Sequence, residues 1–403
     1  MSMRYIGGVI SATRPTVSSS SASGIWSLET QAQAKGASTW PAPPFLGELW
    51  TWGYNNQGQL GDGTTVSKSS PVQVGALTTW TSVISGYQNN LAIKSDSTLW
   101  AWGAGSSGQL GQGNTSAYSS PVQIGALTNW LKASASAYGN SVGCLKTDGT
   151  VWMWGNGYAG ALGQGNTTSM SSPVQVGLET YWADFSAGSN SGFGVTTGGK
   201  LYAWGYGVYG QLGQGNTTNY SSPVQVGALT DWSKVFTGKY CCAAIKTDGT
   251  LWTWGSNDDG KLGIGLATST NSVSSPSQVG ALTTWVKFAW GADCAYAIKT
   301  DGTLWTWGGN QKGQLGTGNV TYYSSPVQIG SLTNWKDVTG GDRTGVAVTT
   351  GGALYSWGFN GSGRLGLGNT TDYSSPVQVG ALTDWSSTLG EICNSQHTSV
   401  LKS

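Results

Sequence analysis

The sequence predicts an all-β chain folded as a seven-bladed β-propeller with four-stranded blades, and three observations carry that prediction. A segment of the form Leu-Trp-x-Trp-Gly recurs seven times with little change, at Leu49–Gly53, Leu99–Gly103, Val151–Gly155, Leu201–Gly205, Leu251–Gly255, Leu304–Gly308 and Leu354–Gly358. Successive copies begin 50, 52, 50, 50, 53 and 50 residues apart, which is the period of a propeller blade. The 403 residues hold 64 glycines and 22 tryptophans but only 9% charged side chains, against a usual share of about a quarter. Disordered chains lack aromatics, so this composition describes a folded chain with an uncharged polar surface.

Each unit reads as four short strands, in a fixed order. Leu-Trp-x-Trp alternates large apolar with small residues, the period-two pattern of an aromatic-rich strand. A Gly-x-Leu-Gly-x-Gly turn follows, as in Gly58–Gly63, Gly108–Gly113 and Gly160–Gly165, supplying the positive-φ positions of a tight reversal. Next comes Ser-Ser-Pro-Val-Gln-Val/Ile-Gly, from Ser69–Gly75 to Ser374–Gly380, with Ser277 replacing Val in the fifth copy. Its proline stands at the strand start, where no ladder donor is lost. A tryptophan then appears in every copy (Trp80, Trp130, Trp182, Trp232, Trp285, Trp335, Trp385), followed by an apolar strand such as Ala243–Lys246. Thr-Asp-Gly-Thr, at Thr147–Thr150, Thr247–Thr250 and Thr300–Thr303, joins that strand to the next Leu-Trp strand. Asp-Gly between two apolar runs is a strong hairpin signal.

The two ends predict how the ring closes. The last apolar strand, Val400–Ser403, matches Ala92–Ser95 but has no Leu-Trp strand after it. The first strand, Leu49–Trp52, is therefore expected to complete the last blade and remove the free edges. On this reading residues 45–403 form the propeller. Residues 1–44 form an N-terminal attachment segment with a Ser-rich linker at Ser18–Ser23.

Trp-Gly-x-x-x-x-Gly-x-Leu-Gly-x-Gly followed by Ser-Ser-Pro-Val-x-Val/Ile resembles the regulator-of-chromosome-condensation repeat, over residues 45–403. The resemblance implies the seven-bladed fold; it leaves function open, because members include a nucleotide-exchange factor, a plant photoreceptor and an enzyme inhibitor. The histidine of the family's Gly-x-x-His-Thr pattern falls here on Asn89, Ser141, Ser191, Cys241, Cys294, Thr344 and His397, so only the last copy keeps it. With no basic extension either, the exchange-factor reading is disfavoured. Nineteen of the 22 tryptophans occupy three repeat positions, where they read as core and inter-blade packing. The positions at which the photoreceptor carries its distinctive tryptophans hold Tyr87, Gly139, Ser189, Lys239, Ala292, Asp342 and Ser395. Separately, Ile6 to Glu29 resembles a segment of tailed-bacteriophage structural proteins. That likeness implies a virion component, a tail fibre, spike or surface decoration, joined to other virion proteins through residues 1–44 and present as a homo-oligomer on the particle.

Composition excludes several other classes. The net charge is +1 with no Lys/Arg run, so nucleic acid is not an expected partner. No stretch approaches the roughly 18 apolar residues of a spanning helix, so no membrane insertion is expected. Ile6 to Ile10 is too short for a secretory h-region of roughly 7–15 residues, so standard export is not expected. Five cysteines (Cys144, Cys241, Cys242, Cys294, Cys393) include no Cys-x-x-Cys and accompany one histidine. They read as small buried thiols, not a metal site. The glycine turns lack the Lys-Ser/Thr of a phosphate loop, and Asp258-Asp259 reads as turn chemistry. His397 reads as a structural histidine, so neither catalytic residues nor a cofactor are expected.

Because the copies are so alike, positions that differ between them mark a candidate binding site. One such set forms an expected ring at the mouth of the central channel: Gln88, Asn140, Asn190, Tyr240, Asp293, Arg343 and Gln396, with Tyr87, Lys239, Asp342 and Trp290 nearby. A polar ring with a few aromatics suits a glycan or a protein loop; equally, the positions are simply unconstrained. A second set, Tyr118, Met170, Tyr220, Tyr322, Tyr323 and Tyr373, forms a contact ring or packs onto neighbouring blades. The fifth copy is longer, at Leu266–Val273. The expected function is non-catalytic: a virion protein presenting its propeller to a host-surface glycan or protein. The alternative is a soluble, cytoplasmic protein-binding propeller that regulates or inhibits its partner. A carbohydrate-active enzyme is disfavoured, since no paired carboxylates recur.

Overall fold

The computed structural model describes residues 47–136, 139–266, 272–386, 389 and 396–402. The attachment segment expected at 1–44, Cys393 and Ser395 lie outside the described residues, as does most of the insertion in the fifth copy.

Seven antiparallel sheets follow one another along the chain. In the first blade, Trp80–Ser85, Asn89–Lys94, Leu99–Gly103 and Tyr118–Gln123 pair in chain order, and five further blades repeat this arrangement. The blade is therefore out of phase with the sequence repeat by two strands: it opens on the single tryptophan and ends on Ser-Ser-Pro-Val-Gln. Strands of the Trp80–Ser85 type touch their counterparts in the next blade and line the axis. Those of the Tyr118–Gln123 type form the half-exposed outer edge.

The last blade closes the ring as predicted, with one addition. His397–Lys402 pairs with Glu48–Gly53, in register from Glu48 opposite Lys402 to Gly53 opposite His397. The first strand also brings its neighbour, Lys68–Gln73, so two strands from the start of the ring complete this blade. Trp385, at the repeat position where the innermost strand of the other blades begins, bridges to Lys402.

One hydrogen bond recurs at every blade boundary. The second tryptophan of Leu-Trp-x-Trp is fully buried, and its indole N–H donates to a backbone carbonyl in the preceding blade's glycine turn. Trp102 reaches Gln59 O at 3.0 Å, Trp254 reaches Gln211 O at 2.8 Å, and Trp307 reaches Lys261 O at 2.8 Å. The seam uses the same bond, Trp52 to Arg364 O at 2.9 Å. The glycine turns make these contacts possible. At Gly108, φ is +77° and a Cβ would lie 2.7 Å from Ser171 Cα of the next blade. An L-residue would meet both left-handed backbone strain and a wall. The single tryptophan packs against the aromatic pair of the Leu-Trp-x-Trp strand in its own blade, as Trp232 does edge-on to Trp252 at 6.1 Å and tilted against Trp254 at 6.2 Å.

Candidate functional site

Six of the ring positions belong to the short turns that join an axis-lining strand to the next strand, and Gln396 stands immediately before His397–Lys402. Asn140, Asn190, Tyr240 and Arg343 adopt left-handed φ values of 51° to 58°. At all seven positions the ring residue's carbonyl accepts the backbone N–H of the residue after Leu-Trp-x-Trp-Gly. Ala104 N reaches Gln88 O at 2.9 Å, Tyr206 N reaches Asn190 O at 2.8 Å, and Tyr54 N reaches Gln396 O at 3.1 Å. The glycine between them is required: Gly103 has φ +99°, and a Cβ there would lie 2.4 Å from Gln88 O. This backbone pattern places Gln88, Asn140, Asn190, Tyr240, Asp293, Arg343 and Gln396 on one face, all half-buried. Neighbouring turns touch directly, with Ala292 N donating to Gly341 O at 3.2 Å.

Side chains divide this turn face into sectors. Tyr209 stacks on Tyr240 with centroids 4.8 Å apart, and Tyr206 lies 6.1 and 6.0 Å from the two. Tyr158 adds a fourth ring 5.8 Å from Tyr206. The cluster spans three blades and stays open to solvent, with Tyr158 57% and Tyr209 38% exposed. Burial, and then the neighbouring phenols, hold the Tyr206 and Tyr240 hydroxyls above their ordinary value, so the sector is uncharged. Next to it lie Asp258, Asp259 and Asp293. The Asp259 carboxyl is pushed up by burial first and by the other two carboxylates second. Beyond them, Arg364 pairs with Asp342 at 3.2 Å and lies over Phe359 at 4.6 Å. Buried Lys261 donates to Lys239 O at 3.1 Å.

Other sequence-level candidates resolve differently. Trp290 is buried, donating to Phe236 O at 3.3 Å and packing on Phe288, so it belongs to the core and not to the face. Tyr118, Tyr220, Tyr323 and Tyr373 are half-buried, and each hydroxyl accepts from the Asn four residues earlier, at 3.1–3.3 Å. Tyr118, Met170, Tyr220 and Tyr323 pack against blade cores, so this set takes the packing alternative. Tyr158, Tyr206 and Tyr209 were missed by sequence reasoning, because they occupy different positions of the repeat and converge only across blade boundaries. Comparing the residue after each Leu-Trp-x-Trp-Gly (Tyr54, Ala104, Asn156, Tyr206, Ser256, Gly309, Phe359) exposes the signal.

The nucleophiles and titratable groups of the interior are structural. Cys144, Cys241, Cys242 and Cys294 are buried free thiols, and burial pushes Cys241 and Cys294 up to about 12. His397 is buried against Asn90, with Nε2 3.0 Å from Oδ1. Among the described residues no group of three His, Cys, Asp or Glu side chains is placed to hold a metal. No described helix is long and apolar enough to cross a membrane.

This architecture is that of a closed seven-bladed propeller with one diversified face. The RCC1-like domain matches residues 132–400, and the regulator of chromosome condensation (RCC1) repeat matches residues 47–93 and 96–142; the chain belongs to this family. Among solved structures it is similar to Prp20p of Saccharomyces cerevisiae, at 20% identity and TM-score 0.79, covering 89% of this chain and 91% of that one. That structure is described with its binding properties to Gsp1p and histones. Yeast RCC1 (Prp20) bound to Kap60 matches at 20% identity and TM-score 0.79, covering 100% and 96%. Human WBSCR16 matches at 21% identity and TM-score 0.76, covering 88% and 98%. No curated protein matches the sequence.

Proposed function

We propose that this chain is a non-catalytic binding propeller that docks a protein partner on its turn face. The observation that carries the reading is the open cluster of Tyr158, Tyr206, Tyr209 and Tyr240, set on a rigid scaffold beside the Asp258, Asp259 and Asp293 carboxylates. Tyrosine offers large contact area at small entropic cost, and the adjoining carboxylates suit a partner loop that carries a basic side chain. The yeast relatives' association with Gsp1p, histones and Kap60 supports protein contact as a use of this fold. The test is affinity capture with cross-linking from the source cells, using the full chain and a Tyr209→Ala/Tyr240→Ala variant. The variant is expected to retain at least tenfold less of the captured partner at an unchanged melting temperature. Equal retention, or no partner for the parent protein, sinks the reading.

A second reading adds a setting: the propeller is carried on a bacteriophage particle, through residues 1–44. It is supported by the resemblance of Ile6 to Glu29 to phage structural proteins. Mass spectrometry of purified particles against their supernatant tests it. Stoichiometric peptides in the particle are the expected outcome, and peptides confined to the supernatant overturn it.

A further inference from the structure

The other end of the propeller carries a repeated feature that the turn-face reading leaves unused. At three consecutive blade boundaries a cleft opens near the start of the axis-lining strands, remote from the turns. The cleft volumes are about 360, 470 and 520 Å³, within the range of small-ligand sites. All three are assembled from the same repeat positions. In the largest, Trp232, Trp252, Leu229, Gln214 and Gln225 come from two blades, and Pro276 closes the far wall.

Two features of these walls are not demanded by folding. The first is a half-exposed leucine. Leu127 and Leu229 line two of the clefts, Glu179 takes this position in the third, and Leu77, Leu282, Leu332 and Leu382 recur there in other copies, each of the six leucines 43–46% exposed. The ring positions of the turn face hold five residue types in seven copies, so shared ancestry alone does not account for an exposed apolar side chain kept six times. The second is a glutamine between the last two glycines of the turn. It is present as Gln112, Gln164 and Gln214 in these three clefts, and the same position holds Asp62, Ile264, Thr317 and Leu367 in the other copies. Each of the three donates its amide N–H to a carbonyl of its own blade. Gln112 reaches Gln123 O at 3.1 Å, Gln164 reaches Gln175 O at 2.9 Å, and Gln214 reaches Val224 O at 3.2 Å. The amide is thereby fixed, and its Oε1 has no protein donor among the described residues.

We infer that the three clefts are equivalent subsites for a neutral saccharide chain. Indole and proline surfaces take the C–H faces of a sugar ring, and the fixed Gln Oε1 atoms accept its hydroxyl protons. No charged residue lines two of the clefts and the third adds Glu179, while Lys146 and Lys246 stand over the Trp152 and Trp252 indoles at 3.8 and 4.6 Å; the ligand is therefore identified by its ring faces and hydroxyls, not by charge. Repetition one blade apart matches a ligand that repeats its own unit. Weak subsites occupied together gain effective affinity of 10²-fold or more.

The test uses the full 403-residue chain on an array of neutral glucans, mannans, galactans and chitooligosaccharides. Titration calorimetry with the shortest binding oligosaccharide then follows. Binding with a stoichiometry near three is expected. Gln214→Ala should lower it to near two, and Gln112→Ala/Gln164→Ala/Gln214→Ala should weaken binding to the long glycan at least tenfold. Should the triple variant fold poorly, Leu127→Ser/Leu229→Ser at exposed positions should give the same loss. Tyr209→Ala/Tyr240→Ala on the opposite face should leave saccharide binding unchanged, which separates this site from the protein-docking one. No neutral glycan bound, a single site, loss of binding in the tyrosine variant, or decaproline peptide occupying the clefts in place of sugar would each overturn the assignment.

Discussion

His397 shows how a single titratable side chain can hold the seam of the ring. It is 1% exposed, and its Nε2 lies 3.0 Å from Asn90 Oδ1 across the boundary between the closing blade and the first. Ser85 and Ser399 donate to the same oxygen, so the proton of the histidine bond sits on Nε2. Burial first, and the Arg364 charge second, lower the imidazole to about 3, against about 6.5 in the unfolded chain. Between those values the unfolded state binds a proton that the native state refuses. The contribution is therefore fully present above pH ~6.5 and lost progressively as pH falls toward 3, by about 1.4 kcal/mol per pH unit. His397→Gln keeps a donor without the titration. The stability advantage of the parent over this variant is expected to shrink by about 2–3 kcal/mol between pH 7 and pH 4.5. Urea unfolding at the two pH values checks it; a difference that does not change with pH would show that His397 titrates normally.

At the scale of the element, the glycine turn is the piece that fastens one blade to the next. Gly108 and Gly125 both have left-handed φ, +77° and +57°, so alanine at either costs about 1–2 kcal/mol of backbone strain. They differ in surroundings. A Cβ at Gly108 meets Ser171 Cα at 2.7 Å and Met170 O at 3.2 Å, whereas nothing lies within 4 Å of one at Gly125. Overpacking adds about 1–3 kcal/mol, so Gly108→Ala is expected to cost roughly 3 kcal/mol and Gly125→Ala about 1. Equal losses on chemical denaturation would mean that the turn does not bear on the next blade. The existence of these turns, the four strands and the hairpins was legible from local chemistry alone, because Asp-Gly, Gly-x-Leu-Gly-x-Gly and alternating tryptophans each specify a conformation within a few residues. What the turns grip was not legible. The Trp254 to Gln211 O bond joins residues 43 positions apart, and no local pattern reports it. The same holds for the site: ring residues such as Tyr240 and Arg343 stood out by differing between copies. The tyrosine partners of Tyr240 come from other repeat positions and meet it only once blades are side by side.

At the scale of the whole molecule, the described residues of the closing blade are held by the same contacts as the other blades. Trp385 packs at 6.3 Å against both Trp50 and Trp52, as Trp232 packs against Trp252 and Trp254 within its blade. Gly368 N donates to Ser69 O at 2.8 Å, matching Gly215 N to Ser274 O at 2.8 Å. Lys402 bridges Glu48 at 3.7 Å and Asp384 at 3.3 Å. Among the described residues, the strand pairing at the seam differs from its counterparts in lacking the connecting hairpin. In the fourth blade, Ile245 pairs with Leu251 through Lys-Thr-Asp-Gly-Thr; at the seam, Leu401 pairs with Leu49 in the same register. Joining Ser403 to Gly47 through one inserted aspartate gives Lys-Ser-Asp-Gly-Glu-Leu-Trp, the sequence equivalent of Lys246–Trp252. A permuted propeller joined in this way, lacking residues 1–46 and opened instead between Asp148 and Gly149, moves the break from the hairpin position of the closing blade to the matching hairpin within the second blade. It keeps every inter-blade indole bond, including Trp52 to Arg364 O. Its melting temperature is expected to fall within a few degrees of the parent propeller, with a single cooperative transition. A large drop, or a second transition, would show that the seam's register carries strain the other hairpins do not, and that the ring's equivalence ends at its closing blade.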